Sequence, residues 1–144
     1  MYFEEYIIGT QYQVPTVQLT EQEIIDFATK YDPRPIHIDR TEAAKSRFGG
    51  IIASGFHTIS ACWGEWVKTK IDAEHLVAGM SIDSAEWLKP VYPLDDLDGV
   101  VTIVDKKILS KNKYGAISYY LEVKNQNNDI VLKITATAMV ECQP

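Results

Sequence analysis

A carboxylate, Asp32, and an imidazole, His37, stand in the run Tyr31-Asp32-Pro33-Arg34-Pro35-Ile36-His37-Ile38-Asp39. One group of this kind can take a proton in a reaction while the other supplies one. Pro33 and Pro35 flank Arg34. Each removes an amide donor and pushes its predecessor out of the α region, which predicts a stiff loop here rather than a helix. Downstream, Gly49-Gly50-Ile51-Ile52-Ala53-Ser54-Gly55 leads into a long, mostly apolar segment. A helix opening at Gly55 would present free backbone N–H groups and a positive dipole end, both suited to a developing oxyanion. An acid/base pair followed by an oxyanion site outlines an enzyme. Each residue also has a plainer reading. An aspartate before proline is commonly a turn residue, a lone histidine is commonly structural, and a glycine at a helix start permits close packing.

These groups must be held by the elements around them. Thr20-Glu21-Gln22-Glu23 has the form of a capping box. Ile24, Ile25, Phe27, Ala28 and Tyr31 follow at helical spacing, so a helix over 21–31 delivers Asp32 at its C-terminal end. A short helix is expected over 41–46, ended by the double glycine, with Asp39 read as a cap or loop-orienting partner. From Gly55 to about Lys70 the chain is apolar nearly all round in its first turns, the pattern of a helix enclosed by other structure. Pro15 demotes residues 11–19 to an edge strand or extended arm. After a linker at 71–78 the period changes. Residues 79–89, 99–109, 114–124 and 130–140 are rich in β-branched and aromatic side chains, and the last alternates from Ile130 to Val140. Lys111-Asn112-Lys113 and Asn125–Asp129 supply turns. The fold class is α+β, an antiparallel sheet wrapped on a long helix, read as one domain over residues 1–144.

Composition narrows the partners. A formal net charge of −6 over 144 residues argues against a nucleic-acid face. No apolar run reaches the roughly 18–20 residues of a membrane span. The acidic, aromatic start Met1-Tyr2-Phe3-Glu4-Glu5 lacks the pattern of a signal peptide. Cys62 and Cys142 form no disulfide framework and have no metal spacing, so both are read as reduced thiols in a cytoplasmic protein. His57 and His75 join Asp32 and His37 in no recognised zinc pattern, and no metal is expected.

The run D-P-x-P-x-H-x-D followed by S-x-F-G-G-x-I-A-S-G resembles the MaoC-like dehydratases, the (R)-specific enoyl-CoA hydratases of hot-dog fold. Asp32, Pro35, His37, Asp39, Ser46, Phe48, Gly49, Gly50, Ile52, Ala53 and Gly55 carry the likeness. Trp87-Leu88-Lys89-Pro90-Val91 is similar to a later strand of that family. The resemblance implies reversible hydration of a trans-2-enoyl-CoA to the (R)-3-hydroxyacyl-CoA. In that scheme Asp32 and His37 hold the attacking water, and the Gly55 N–H polarises the thioester carbonyl. It implies no metal or redox cofactor, with coenzyme A entering as part of the substrate and acyl carrier protein as an alternative carrier. It further implies a homodimer or a dimer-based oligomer, with Phe56, Trp63 and Trp66 read as core or dimer interface.

The chain departs from the family beside the reacting centre. Arg34 stands where many members have asparagine, and Ser54 where they often have histidine or glutamine. Leu94 replaces the glycine of a Pro-Gly-Asp turn. Arg34 and Ser54 are therefore read as substrate-binding positions. Two rival functions stay open on sequence: a thioesterase on the same fold, and a non-catalytic acyl-CoA binding protein.

Overall fold

A computed structural model describes all residues, 1–144. Helix α1, Glu21–Tyr31, opens with the capping box: the Glu23 amide donates to Thr20 Oγ1, and the Thr20 amide to Glu23 Oε1, each at 3.1 Å. Ile24 and Ala28 face the core, and the helix ends at Asp32, whose amide donates to the Ala28 carbonyl at 2.8 Å.

The loop expected between Asp32 and Asp39 is in fact half helical. Residues Pro35–Ile38 form one turn, α2. Pro33 does keep Asp32 out of the helical region, at φ −155° and ψ 68°. Pro35, however, sits at the first helical position, where its fixed φ suits the turn and its missing amide would have been unused. Asp39 then caps α3, Arg40–Lys45, its carboxylate accepting from the Thr41 and Glu42 amides at 3.0 Å.

Helix α4, Gly55–Lys68, is the long helix. Thr58, Cys62 and Trp66 fall one turn apart and are all buried. Against them lie Tyr12 of the first strand, with its ring 5.5 Å from that of Trp66, and Tyr119 of the fourth, 6.1 Å from Trp63. The helix expected to be enclosed by other structure is not covered all round within this chain. Phe56 and Val67 lie on the uncovered side and are exposed.

Five strands complete the fold: β1 Gln11–Val17, β2 Leu76–Trp87, β3 Leu97–Ser110, β4 Tyr114–Lys124 and β5 Ile130–Glu141. All pair antiparallel in one sheet, in the order β1-β3-β4-β5-β2. Pro15 sits on an edge strand, as its missing donor requires, where the β1–β3 register slips between Val14 and Val17. The centre of the sheet is apolar and fully buried, with Val101, Ile103, Ile117, Leu121, Val123, Leu132 and Val140. Strand β2 begins at Leu76, inside the expected linker, and not one of its residues is buried. No helix is long and apolar enough to cross a membrane.

One buried carboxyl lies at the far end of α4. Asp72 is only 6% exposed, and burial pushes its carboxyl up, against the pull of the Tyr119 hydroxyl. A carboxyl raised in the folded state contributes stability below its unfolded pKa that is lost as pH rises through the folded value. Asp72→Asn is therefore expected to raise Tm at pH 7. The advantage should shrink to nothing on acidification to about pH 4, as thermal unfolding at the two pH values will show.

Candidate active site

Three segments meet where α4 begins. The end of α1 supplies Asp32 and the single turn α2 supplies His37. Residues 51–54, all buried, pass between them and the chain after β2. The Ile52 amide donates to the Ile36 carbonyl at 3.1 Å, and the Ala53 amide to the Val91 carbonyl at 2.8 Å. This short stretch also fixes both ionisable groups. The Ile52 carbonyl lies 2.7 Å from His37 Nδ1. A carbonyl only accepts, so Nδ1 carries the hydrogen and Nε2 is left facing Asp32. The Ser54 hydroxyl donates to Asp32 Oδ2 at 2.8 Å.

Asp32 and His37 are both buried, 8% and 6% exposed, and His37 Nε2 stands 3.5 Å from Asp32 Oδ2. That separation is long for a direct hydrogen bond and leaves both atoms able to share a third partner. Arg34 pairs with the other oxygen, Oδ1, from a side chain that is 70% exposed. Burial alone would pull the Asp32 carboxyl up. Donation from Ser54, then from Arg34, with the charges of Arg34 and His37, outweighs it and holds the carboxyl below the ordinary aspartate value.

These groups open into a cavity of about 450 Å³ whose wall includes Asp32, Arg34, His37, Gly55, Arg47 and Trp87. Gly55 is the first residue of α4, so its amide has no partner in the preceding turn. A carboxylate, an imidazole nitrogen and a helix-start amide thus address one space. The arrangement can hold a water, move protons on and off it, and stabilise negative charge on a neighbouring oxygen.

Of the five residues singled out by sequence, Asp32, Arg34, His37 and Gly55 line this cavity. Ser54 does not. It is fully buried behind the wall, with its hydroxyl on Asp32. Asp39 is occupied as a cap away from the cavity. His57 stacks on Phe27 with ring centres 4.4 Å apart, and His75 pairs with Glu141 at 2.9 Å. Sequence reasoning missed Arg47 and gave Trp87 no role of its own. The only signal for Trp87 was its place in the Trp87–Val91 run.

The position of Ser54 makes a prediction. It donates to the ionised form of Asp32, so its loss raises that carboxyl toward the ordinary range. Ser54→Ala should move the acid limb of any Asp32-dependent rate to higher pH. On that acid limb, below the ordinary aspartate value, the rate should fall about tenfold, the size of one hydrogen bond to a charged group, while at pH 7 the loss of ionised Asp32 costs almost nothing. A pH–rate profile of both proteins measures it.

Comparison with known proteins agrees on one family. The model of the MaoC like domain matches residues 3–125. The uncharacterised protein YdeM of Bacillus subtilis is 32% identical over 126 residues, which cover 88% of this chain and 89% of that protein. Protein MaoC of Klebsiella aerogenes is 31% identical over 108 residues, 74% of this chain but only 32% of its own length. Among solved structures, a monoamine oxidase regulatory protein from Archaeoglobus superimposes with a TM-score of 0.94 at 30% identity, covering 100% of this chain and 96% of that one. A MaoC-like dehydratase from Rhodospirillum rubrum does so with a TM-score of 0.89 at 25% identity, covering 100% and 99%. The shared fold is the hot-dog, and it extends to structures of lower identity.

Proposed function

Because this chain belongs to the MaoC-like dehydratase family, we propose that it adds water reversibly to a trans-2-enoyl-CoA, giving the (R)-3-hydroxyacyl-CoA. The observation that carries the reading is the buried facing pair, Asp32 Oδ2 and His37 Nε2 at 3.5 Å, beside the open amide of Gly55.

The proposed chemistry follows from what each atom can do. A water lies between Oδ2 and Nε2. Asp32, held ionised by Ser54 and Arg34, takes its proton as the oxygen attacks Cβ. The displaced electron pair moves onto the thioester oxygen, where the Gly55 N–H meets the growing charge. His37, protonated, supplies the proton at Cα. The site thereby ends with a proton on Asp32 and a neutral His37, and exchange with solvent resets it.

Coenzyme A is the proposed carrier, with acyl carrier protein as the alternative. Arg34, Arg47 and Lys89 line the cavity of a chain whose net charge is −6. Arg34 pairs with Asp32, and Lys89 with Asp129 at 3.1 Å, which leaves Arg47 as the cation without a carboxylate partner and the one best suited to phosphate. Arg34, exposed in the cavity wall, is also proposed to pair a second carboxylate on the acyl group, so dicarboxylic substrates belong in the panel. The protein is proposed to work as a homodimer in the cytoplasm, with no resident cofactor.

The test is loss of enoyl-thioester absorbance over short, medium, branched and dicarboxylic 2-enoyl-CoAs, with a thiol-trapping reagent in a parallel cuvette. Absorbance loss without thiol release is the expected result. Stoichiometric thiol release would replace this reading with a thioesterase. Tight binding with no turnover of any member would replace it with a binding protein.

A further inference from the structure

At the corner where α4 begins, most of the backbone donors already have acceptors. The Ala53 amide donates to Val91, and the His57 and Thr58 amides both donate to the Ser54 carbonyl, at 2.9 and 3.1 Å. Those of Gly55 and Phe56, the first two of the helix, have no intrahelical acceptor. A side-chain donor reaches the same corner from another element.

Trp87 is the last residue of β2. Its backbone is pinned by pairing with Leu132, and by the bond from the Leu88 amide to the Val131 carbonyl at 3.0 Å. The indole is thereby laid against Gly55. A Cβ built on that glycine would fall 2.4 Å from Trp87 Cε2, 2.5 Å from Nε1 and 2.9 Å from Cζ2. A point farther from Nε1 and Cζ2 than from the Cε2 between them lies above the ring plane rather than beyond its edge, so the indole lays its face, at the Cε2–Nε1 bond, over Gly55. By ordinary bond geometry Nε1 lies within about 5 Å of the Gly55 nitrogen. Phe56 meets the ring edge-on with centres 6.0 Å apart, which limits its tilt. The indole N–H is a donor only, Trp87 is half-exposed in the wall of the cavity, and no protein group accepts from Nε1.

We propose that Trp87 Nε1–H is a second donor to the thioester carbonyl oxygen, so that the oxyanion is held between the amide of Gly55 and the indole of Trp87. The inference rests on the hydratase reading above. Two donors from different elements, one at a helix start and one at a strand end, fix the oxygen in direction as well as distance. The carbonyl is then presented with its conjugated double bond toward Asp32 and His37. Gly55 is required twice over, for its open amide and because any side chain would push the indole aside.

The experiment uses 15N-labelled protein, with the Trp87 indole resonance assigned by its absence from Trp87→Phe. The probes are butanoyl-CoA, a saturated thioester that cannot be hydrated, and S-butyl-CoA, the thioether lacking only the carbonyl oxygen. Donation to the carbonyl predicts a downfield shift of the Trp87 indole proton with the thioester and none with the thioether at saturation. Equal shifts with both, or none with either, overturn the proposal by reducing Trp87 to an apolar wall or a bystander. Kinetics supply the second arm. Trp87→Phe keeps the ring and deletes the N–H, so kcat should fall about 100-fold, the lower range for one oxyanion donor, with KM changed less than threefold. Unchanged kcat overturns the proposal. Asp32→Asn separates the two ideas. If that variant is dead while Trp87→Phe is fully active, the hydratase reading stands and the role of Trp87 falls. If neither thioester nor thioether binds, both fall together.

Discussion

Asp32→Asn should lower the hydration rate about 1,000-fold or more while leaving the protein folded. Removal of a positioned acid or base costs about 100- to 10,000-fold, and this carboxylate belongs in the upper half of that range. It is buried, it is held ionised, and it faces His37 Nε2 across 3.5 Å. The amide keeps the shape and the acceptor for the Ser54 hydroxyl, so the cavity wall survives. It cannot take a proton from water. Arg34 loses its partner, but its guanidinium is largely in solvent and is not stranded. The depressed carboxyl sets the sign of a linked effect on stability. Ionised Asp32 stabilises the fold above its unfolded pKa, and that contribution is lost as pH falls through the lower folded value. The variant should therefore unfold slightly more easily than wild type at pH 7, with the difference vanishing in strong acid. Steady-state rates beside thermal melts at both pH values test the pair of expectations. A variant that melts normally and retains more than one-tenth of the rate would remove Asp32 from the reaction.

Much of this site was readable in the chain because local rules position it. The capping box starts α1, Pro33 stops it, and Asp32 follows. A glycine opens α4, and the amide next to it is open for the same reason. What could not be read is what arrives from elsewhere in the chain. The hydroxyl of Ser54 has no local reason to choose Asp32, 22 positions away, and the sequence alone left it a substrate contact. The Ile52 carbonyl that decides which nitrogen of His37 faces Asp32 is a backbone group, invisible to any reading of residue types. Trp87 comes to Gly55 only because β2 crosses to the far edge of the sheet and pairs with β5. The α2 turn failed for a different reason. Proline was counted as a breaker at Pro35, when the same ring is favourable at the first position of a helix.

The uncovered side of α4 bears on the proposed homodimer. The apolar helix was expected to be enclosed by other structure, yet Phe56 and Val67 of α4 are open in the single chain, and so is all of β2. Strand β2 pairs on one side only, with β5, so its other edge carries unpaired amides and carbonyls. Proteins usually blunt such an edge with lysine or proline. Residues 76–87 contain neither, and the only irregularity is three slips of register against β5. Val77, Met80 and Ile82 are exposed along it, Ile82 at 60%. A second copy laid antiparallel along the same edge would pair those backbone groups and cover those side chains, and a two-fold axis brings each residue into the interface twice. Ile82→Asp places two carboxylates at that seam. At about 2 kcal/mol for each hot-spot side chain, dimer dissociation should strengthen about 1,000-fold. Ile82 is already mostly in water within one chain, so the substitution should leave the fold of the monomer intact. Sedimentation equilibrium at micromolar concentration should give a dimer mass for the wild type and a monomer mass for Ile82→Asp, with matching circular dichroism. A monomeric wild type, or a variant that remains dimeric, would show that copies of this chain do not meet along β2.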